Sequence, residues 1–273
     1  MVLVTSADRR SALRNAAGLA AATTAAAFGS GCSAAPSAPT EPRHAQNPGS
    51  PQEPRSPRSP RSFPAAPTPR RFPAQPAQIG HGPRDRPRVA LTFHGGGDPA
   101  TARALLAEAE RHDARVTVLA VGTWLDEHPA LARRVLDGGH ELGNHTLRHL
   151  DINAMPEAEA LAEITGCAGR LKRLTGSIGS WFRPSRAARA SPLVERLAHR
   201  AGYPHLLSYD VDSLDFTGSG GPAVARTVLG SVRGGSVVSL HFGYADTVAA
   251  LPAVLDELDR RGLRAVTTTE LLS

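Results

Sequence analysis

Gly139-His140-Glu141-Leu142-Gly143-Asn144-His145-Thr146-Leu147-Arg148-His149 is the stretch around which the chain is organised. Two histidines stand four residues apart, His145 and His149, with a hydroxyl directly after the first. On a helical or near-helical turn this spacing places both imidazoles on one face, close enough to share an ion. Neutral imidazole is a good ligand for zinc and its neighbours, so the pair reads as part of a metal site. A pair of surface or capping histidines is the plainer alternative.

Outward from this stretch, short β-type runs alternate with helical ones over residues 88–273. Val89–Phe93 reads as a strand ending in His94-Gly95-Gly96-Gly97-Asp98, and Pro99 opens a helix to Arg111. Val116–Val121 reads as a strand, His128–Asp137 as a helix, and Glu141–Asn144 as a brief strand leading into the histidine pair. Pro156–Leu174 is amphipathic, with Ala160, Leu161, Ile164, Cys167 and Leu171 on its inner face. Trp181–Pro184 reads as extended, Pro192–Ala201 as a helix, His205–Val211 as a strand, and Pro222–Val232 as a helix. Ser236–Leu240 reads as a buried strand ending at His241, Thr247–Arg261 as the last long helix, and Arg264–Thr268 as the closing strand.

This alternation implies a parallel sheet with helices outside, either a barrel or an open doubly wound sheet. The polar residues His94, Asn144-His145, Arg183, Asp212, Asp215 and His241 fall at the carboxyl ends of the strands, where sites assemble in both architectures. His94-Gly95-Gly96-Gly97 matches neither dinucleotide nor P-loop spacing.

Composition divides the 273 residues into three parts. Fifteen of the 23 prolines fall between Ser33 and Pro87, interleaved with arginine and serine, which predicts a disordered tether over 33–87. Residues 1–32 read as an export segment: Asp8-Arg9-Arg10-Ser11-Ala12-Leu13-Arg14 resembles a twin-arginine motif, and Ala16–Phe28 has the length of its apolar region. Gly29-Ser30-Gly31-Cys32 resembles a lipoprotein cleavage site, with Cys32 the lipidated residue; cleavage near Ala34-Ala35 is the alternative. Membrane contact is expected only through that anchor, and the destination is the cell envelope or the exterior.

The net charge of +6 belongs to these leading parts. Three Arg against one Asp, then eight Arg against three acids, leave residues 88–273 at −1, so the folded domain carries no signal for nucleic acid. Cys167 reads as a small packing residue, Asp98 as the cap of the helix that Pro99 opens, and Trp181-Phe182 as core.

The strand ends together resemble the polysaccharide deacetylases, the nodulation-protein-B-like esterases of carbohydrate esterase family 4. The pieces occur in order over residues 88–273: Thr92-Phe93-His94-Gly95-Gly96 for the family's Thr-Phe-Asp-Asp-Gly, His145-Thr146-Leu147-Arg148-His149 for His-Thr-x-x-His, and Phe182-Arg183-Pro184-Ser185 for Phe-Arg-Pro-Pro. Asp212-Ser213-Leu214-Asp215-Phe216 stands for Asp-Ser-x-Asp-Trp, and Val237–His241 for the strand ending in Leu-His. The resemblance implies a distorted (β/α) barrel behind the tether, and hydrolysis of N-acetyl groups on an envelope polysaccharide such as peptidoglycan. It implies a divalent metal ion held by His145 and His149, and His241 as the general acid tuned by a carboxylate, Asp215 in preference to Asp212. Arg183 would fix the carboxylates around the site, with Asp212 and Tyr244 beside the substrate.

The first piece departs from the family: His94 stands at the base position and Gly95 at the metal-ligand position. His94 could swing in as third ligand, giving a three-histidine site suited to zinc, which is the favoured expectation. It could instead keep the role of base beside a more weakly held metal. In the third alternative the barrel only binds glycan.

Overall fold

The computed structural model describes residues 66–273. The export segment, Cys32 and the tether up to residue 65 lie outside the described residues.

Among the described residues eight short strands run parallel. They are β1 (Gln78–Ile79), β2 (Arg88–Gly95), β3 (Thr117–Ala120), β4 (Glu141–Asn144), β5 (Leu206–Leu207), β6 (Val211–Asp212), β7 (Val237–His241) and β8 (Arg264–Ala265). The main sheet has the order β4-β3-β2-β7-β6, with β8 on the first two residues of β2. Phe182 bridges both Asn144 and Leu206, so β5 and β1 continue the curve beyond β4. β1 and β6 share no ladder, and the ring of strands is therefore incomplete.

Around it lie α1 (Pro99–Arg111), α2 (Gly122–Glu127), α3 (Pro129–Asp137), α4 (Glu157–Thr175), α5 (Pro192–Arg200), α6 (Gly221–Ser231), α7 (Ala245–Arg260) and α8 (Thr268–Leu272). The local chemistry sets their ends. Asp98 accepts from Ala100 N ahead of Pro99, and Ser191 accepts from Val194 N ahead of Pro192. The expected closing strand stops at Ala265, because Thr267 and Glu270 form a reciprocal capping box that starts α8. Among the described residues no helix is long and apolar enough to cross a membrane.

β2 is covered on both faces. Val89, Leu91 and Phe93 pack toward the helices, while Ala90 belongs to the inner cluster with Ile79, Leu119, Trp181, Leu207 and Val237. Strand period then puts Thr92 and His94 on that same inner side, above the apolar filling and toward the carboxyl edge. The expected strand at 205–211 is two pieces, β5 and β6, which pair with β1 and β7 respectively. Between them the Leu207 and Ser208 carbonyls turn to the Arg183 guanidinium in place of a ladder.

The last part of the expected tether, residues 66–87, is folded against the strands. Phe72 stacks on Trp181 with ring centroids 5.7 Å apart and planes 13° off parallel. Phe72 N donates to His205 Nε2, and Ser177 Oγ donates to the Pro67 carbonyl. Proline richness there reflects extended backbone that packs through Phe72 and pairs through β1, a case where composition alone misreads a short ordered strap. Phe72→Ala should lower the unfolding free energy by about 2 kcal/mol in urea denaturation. Removing residues up to 87 should destabilise the domain more than removing residues up to 65.

Candidate active site

In-register pairing of β2 with β7 sets His94 directly beside His241, so the two rings rise on the same face of adjacent strands. Their contact is a hydrogen bond of 2.8 Å between His94 Nδ1 and His241 Nε2. On its other side His241 Nδ1 donates to Asp215 Oδ1 at 2.7 Å. Asp215 is fully enclosed, and its Oδ2 accepts from His241 N at 2.8 Å and from Thr247 Oγ1 at 2.6 Å. Three donors fix this carboxylate, and it in turn fixes the plane of His241. Asp212 stands apart from His241 and accepts from Leu214 N at 3.2 Å and Tyr209 Oη at 3.5 Å.

Arg183 lies beneath the cleft with no exposure to solvent. Its Nε donates to the Leu207 carbonyl at 3.1 Å and its Nη2 to Thr92 Oγ1 at 2.9 Å and the Ser208 carbonyl at 3.0 Å. Nη1 donates to His94 Nε2 at 3.1 Å. None of these partners is a carboxylate, which corrects the expectation that Arg183 fixes the carboxylates of the site. The residue that the family places at 94 is acidic, and here it is His94. Burial lowers the guanidinium pKa to about 9, offset in part by Tyr209 and Asp212, so the group stays charged at neutral pH.

His145 and His149 sit on an irregular turn, not a helix. Thr146 and His149 have φ of 68° and 58°, and this left-handed geometry brings the His145 and His149 ring centroids to 4.9 Å. Hydrogen bonds over-determine the turn: Thr146 N donates to Asn144 Oδ1, Thr146 Oγ1 to Ser185 Oγ, and His149 N to Thr146 Oγ1. His145 Nδ1 donates to the Arg183 carbonyl at 3.1 Å, which leaves Nε2 as the lone-pair nitrogen. That atom is buried and has no hydrogen-bond partner. An imidazole tautomer fixed by a backbone carbonyl, with its far nitrogen unpaired, is the arrangement a metal ligand takes.

The rest of the expected ligand set is not assembled. His94 stacks on His145, ring centroids 4.2 Å apart and planes 20° off parallel, and both of its nitrogens are engaged by Arg183 and His241. At Gly95 an added Cβ would lie 3.0 Å from Ala120 Cα and 3.0 Å from Val118 Cγ1, so a side chain there would need β3 to give way by a few tenths of an ångström. Among the described residues no group of three or more His, Cys, Asp or Glu could hold a metal ion. The donor set therefore fits two imidazole ligands and does not fit the three-histidine site.

The cleft has two lobes that share His94, His149, His241 and Tyr244. One lobe, of about 500 Å³, is lined also by Trp124 and Arg148; the other, of about 350 Å³, by Arg186, Tyr209, Asp212 and Phe216. Trp124 is placed by α2, a helix with no side-chain cap and a glycine start, which is why sequence reading passes over it. Phe216 and Tyr244 are exposed and meet the His241 ring edge-on, each at 5.6 Å between centroids. Cys167 is buried away from solvent, donates to the Ala120 carbonyl, and has its thiol pushed up to about 12 by burial.

Burial, then the neighbouring His145, holds His94 well below the usual imidazole pKa, and burial, then His149, does the same for His145. With folded pKa values depressed, the unfolded chain binds more protons below its own value of about 6.5. Stability should be level above about pH 7 and fall below about pH 6.5 by about 1.4 kcal/mol per pH unit for each histidine. Urea unfolding from about pH 7 down to about pH 5.5 in the presence of a chelator measures this slope, and His94→Leu should reduce it.

The polysaccharide deacetylase family profile matches residues 81–206. A peptidoglycan-N-acetylglucosamine deacetylase of Bacillus cereus is 31% identical over 194 residues, covering 70% of this chain and 90% of that protein. A chitooligosaccharide deacetylase of Bradyrhizobium is 28% identical over 197 residues, covering 64% and 85% of the two chains. Among solved structures, a CE4-family pseudoenzyme from Bacillus anthracis superposes with a TM-score of 0.68 at 22% identity, over 73% of this chain and 70% of that one. Together with the order of the strand-end motifs, these likenesses show that the chain belongs to the polysaccharide deacetylase family of amide-bond hydrolases.

Proposed function

We propose that the protein is exported to the cell envelope, where it removes N-acetyl groups from an N-acetylglucosamine polysaccharide such as peptidoglycan. The observation that carries this reading is the enclosed Asp215 carboxylate on His241 Nδ1, beside a cleft lined by His149, with His145 buried behind it. Names of relatives that act on peptidoglycan and chitooligosaccharide support the substrate class. The reaction adds water across the amide: hydroxide goes to the acetyl carbon, the C–N bond breaks, and the nitrogen leaves with a proton. His241, oriented by Asp215, is the group placed to exchange that proton with the departing amine. Tyr244 and Phe216 offer apolar faces on which a sugar ring can lie. The proline-arginine segment and a lipid on Cys32 would hold the domain near the membrane while letting it reach into the wall.

The divalent ion of this reading, zinc by preference, would be held by His145 Nε2 and His149. It would supply Lewis-acid polarisation of the acetamide and a more acidic bound water. His94, which takes the family's base position, is the residue that limits the chemistry. A second reading, a catalytically silent glycan-binding module, is favoured by one specific observation: Gly95 brings no side chain to the ligand position and packs tightly on Ala120 and Val118.

Acetate release from N-acetylglucosamine oligomers and from muropeptides, by the full-length protein with and without added zinc, separates the two readings. Hydrolysis should fall by at least about 100-fold in Asp215→Asn and His241→Ala. Glycan retention without acetate release, in every metal condition, would establish the binding module instead. Metal content should drop in His145→Ala and His149→Ala but persist in His94→Ala; loss in all three would restore the three-histidine site.

A further inference from the structure

We propose that His94 is a positioning residue that latches His241: its Nδ1–H occupies the Nε2 lone pair of His241 and holds both imidazoles in one fixed tautomer. The inference rests on the direction of hydrogen bonding along four side chains and does not depend on whether the cleft hydrolyses anything.

At one end of the series stands Arg183, a guanidinium that can only donate. Its Nη1 meets His94 Nε2 at 3.1 Å, so that nitrogen must be the acceptor and carries no proton. A neutral His94 then bears its proton on Nδ1, which faces His241 Nε2 at 2.8 Å. Two N–H donors cannot face each other at that distance, so His241 Nε2 is the acceptor, and the proton of His241 lies on Nδ1. There it meets Asp215 Oδ1, a carboxylate that can only accept. Both ends of the series are fixed by groups of single character, and every bond between them points from Arg183 to Asp215.

The geometry around the series keeps it in place. Thr92 Oγ1 and the Leu207 and Ser208 carbonyls hold the guanidinium, and the His145 ring lies flat against His94. Pairing of β2 with β7 sets the two histidines side by side. At this position His94 has no free lone pair: Nε2 is used by Arg183 and Nδ1 carries the proton. His241 can donate a proton from Nε2 to a leaving nitrogen only after His94 Nδ1–H turns away from it. The aspartate that the motif carries at position 94 in the family would accept from Arg183 and leave His241 Nε2 open to the cleft. The substitution thus changes the state of His241, 147 residues away in sequence and on the neighbouring strand, and not merely the identity of one residue.

Histidine-selective ¹⁵N labelling of the full-length protein, with chelator present and in slightly alkaline buffer, reads the tautomers from long-range ¹H–¹⁵N correlations. His94 and His241 should both be Nδ1–H. Diethyl pyrocarbonate attacks the unprotonated imidazole nitrogen, which on His241 is the latched Nε2; only 20% of that side chain is exposed. In His94→Leu its modification, followed by peptide mass spectrometry, should quicken by about tenfold, the worth of one ordinary hydrogen bond. In His94→Asn, whose carboxamide keeps a donor near the place of Nδ1, the rate should stay within about threefold of the starting protein. An Nε2–H tautomer on His94, or equal His241 reactivity in the starting protein and His94→Leu, would overturn the latch. Should His94→Leu fail to fold, the tautomers of the unaltered protein still decide the matter. Loss of deacetylation with the tautomers as stated would count against the proposed activity and leave the latch standing.

Discussion

Everything at the cleft hangs on one buried cation. The side chain of Arg183 points into the incomplete barrel above its apolar filling, where the guanidinium is cut off from solvent and touches no carboxylate. An isolated ion in such a place is costly unless its donors are all used. The fold answers four of its five N–H donors with two carbonyls at the break between β5 and β6, one hydroxyl from β2, and the imidazole of His94. The other end of the same residue is also engaged, since the Arg183 carbonyl receives Nδ1–H of His145. A single position therefore fixes the tautomer of His145 through its backbone and that of His94 through its side chain.

Position 94 is where charge was exchanged for a hydrogen-bond relay. A neutral imidazole accepts from Arg183 as a carboxylate would, yet it retains one proton and must pass it on, and among the described residues His241 Nε2 is the acceptor it meets. Gly95 completes the change. With no side chain at 95, β3 comes so close that a Cβ there would crowd Ala120 and Val118. The two adjacent substitutions are thus coupled through packing and through hydrogen bonding to different neighbours, one to β3 and one to β7.

Much of this was legible in the residues. Strand ends carrying His94, His145, Arg183, Asp215 and His241 fall on one edge because parallel strands share a direction, and alternation of short apolar runs with helices signals that arrangement directly. Three features escaped for physical reasons. The turn of His145 and His149 is built on left-handed backbone at Thr146 and His149, which propensity disfavours and only the surrounding hydrogen bonds make stable. The strap at 66–87 reads as disordered because its stabilisation comes from Trp181 and His205, more than a hundred residues away. Two of the four partners of the Arg183 guanidinium are backbone carbonyls, and no sequence pattern reports where a carbonyl points.

Among non-glycine residues with positive φ, four of the five described, Thr146, His149, Arg186 and Leu214, lie in the motifs that frame the cleft. Each such residue costs about 1 kcal/mol or more and persists only where its surroundings over-determine it. The buried Nε2 of His145 adds a further cost, because an unpaired acceptor shielded from water forgoes a hydrogen bond. A fold whose only task was to be stable would relax both. Their coexistence at one edge, beside a carboxylate held by three donors, fixes the shape of the cleft's rim while the Nε2 lone pair of His145 is used by no described protein group. A ligand in the cleft would therefore meet a rim already set by the same strained turns.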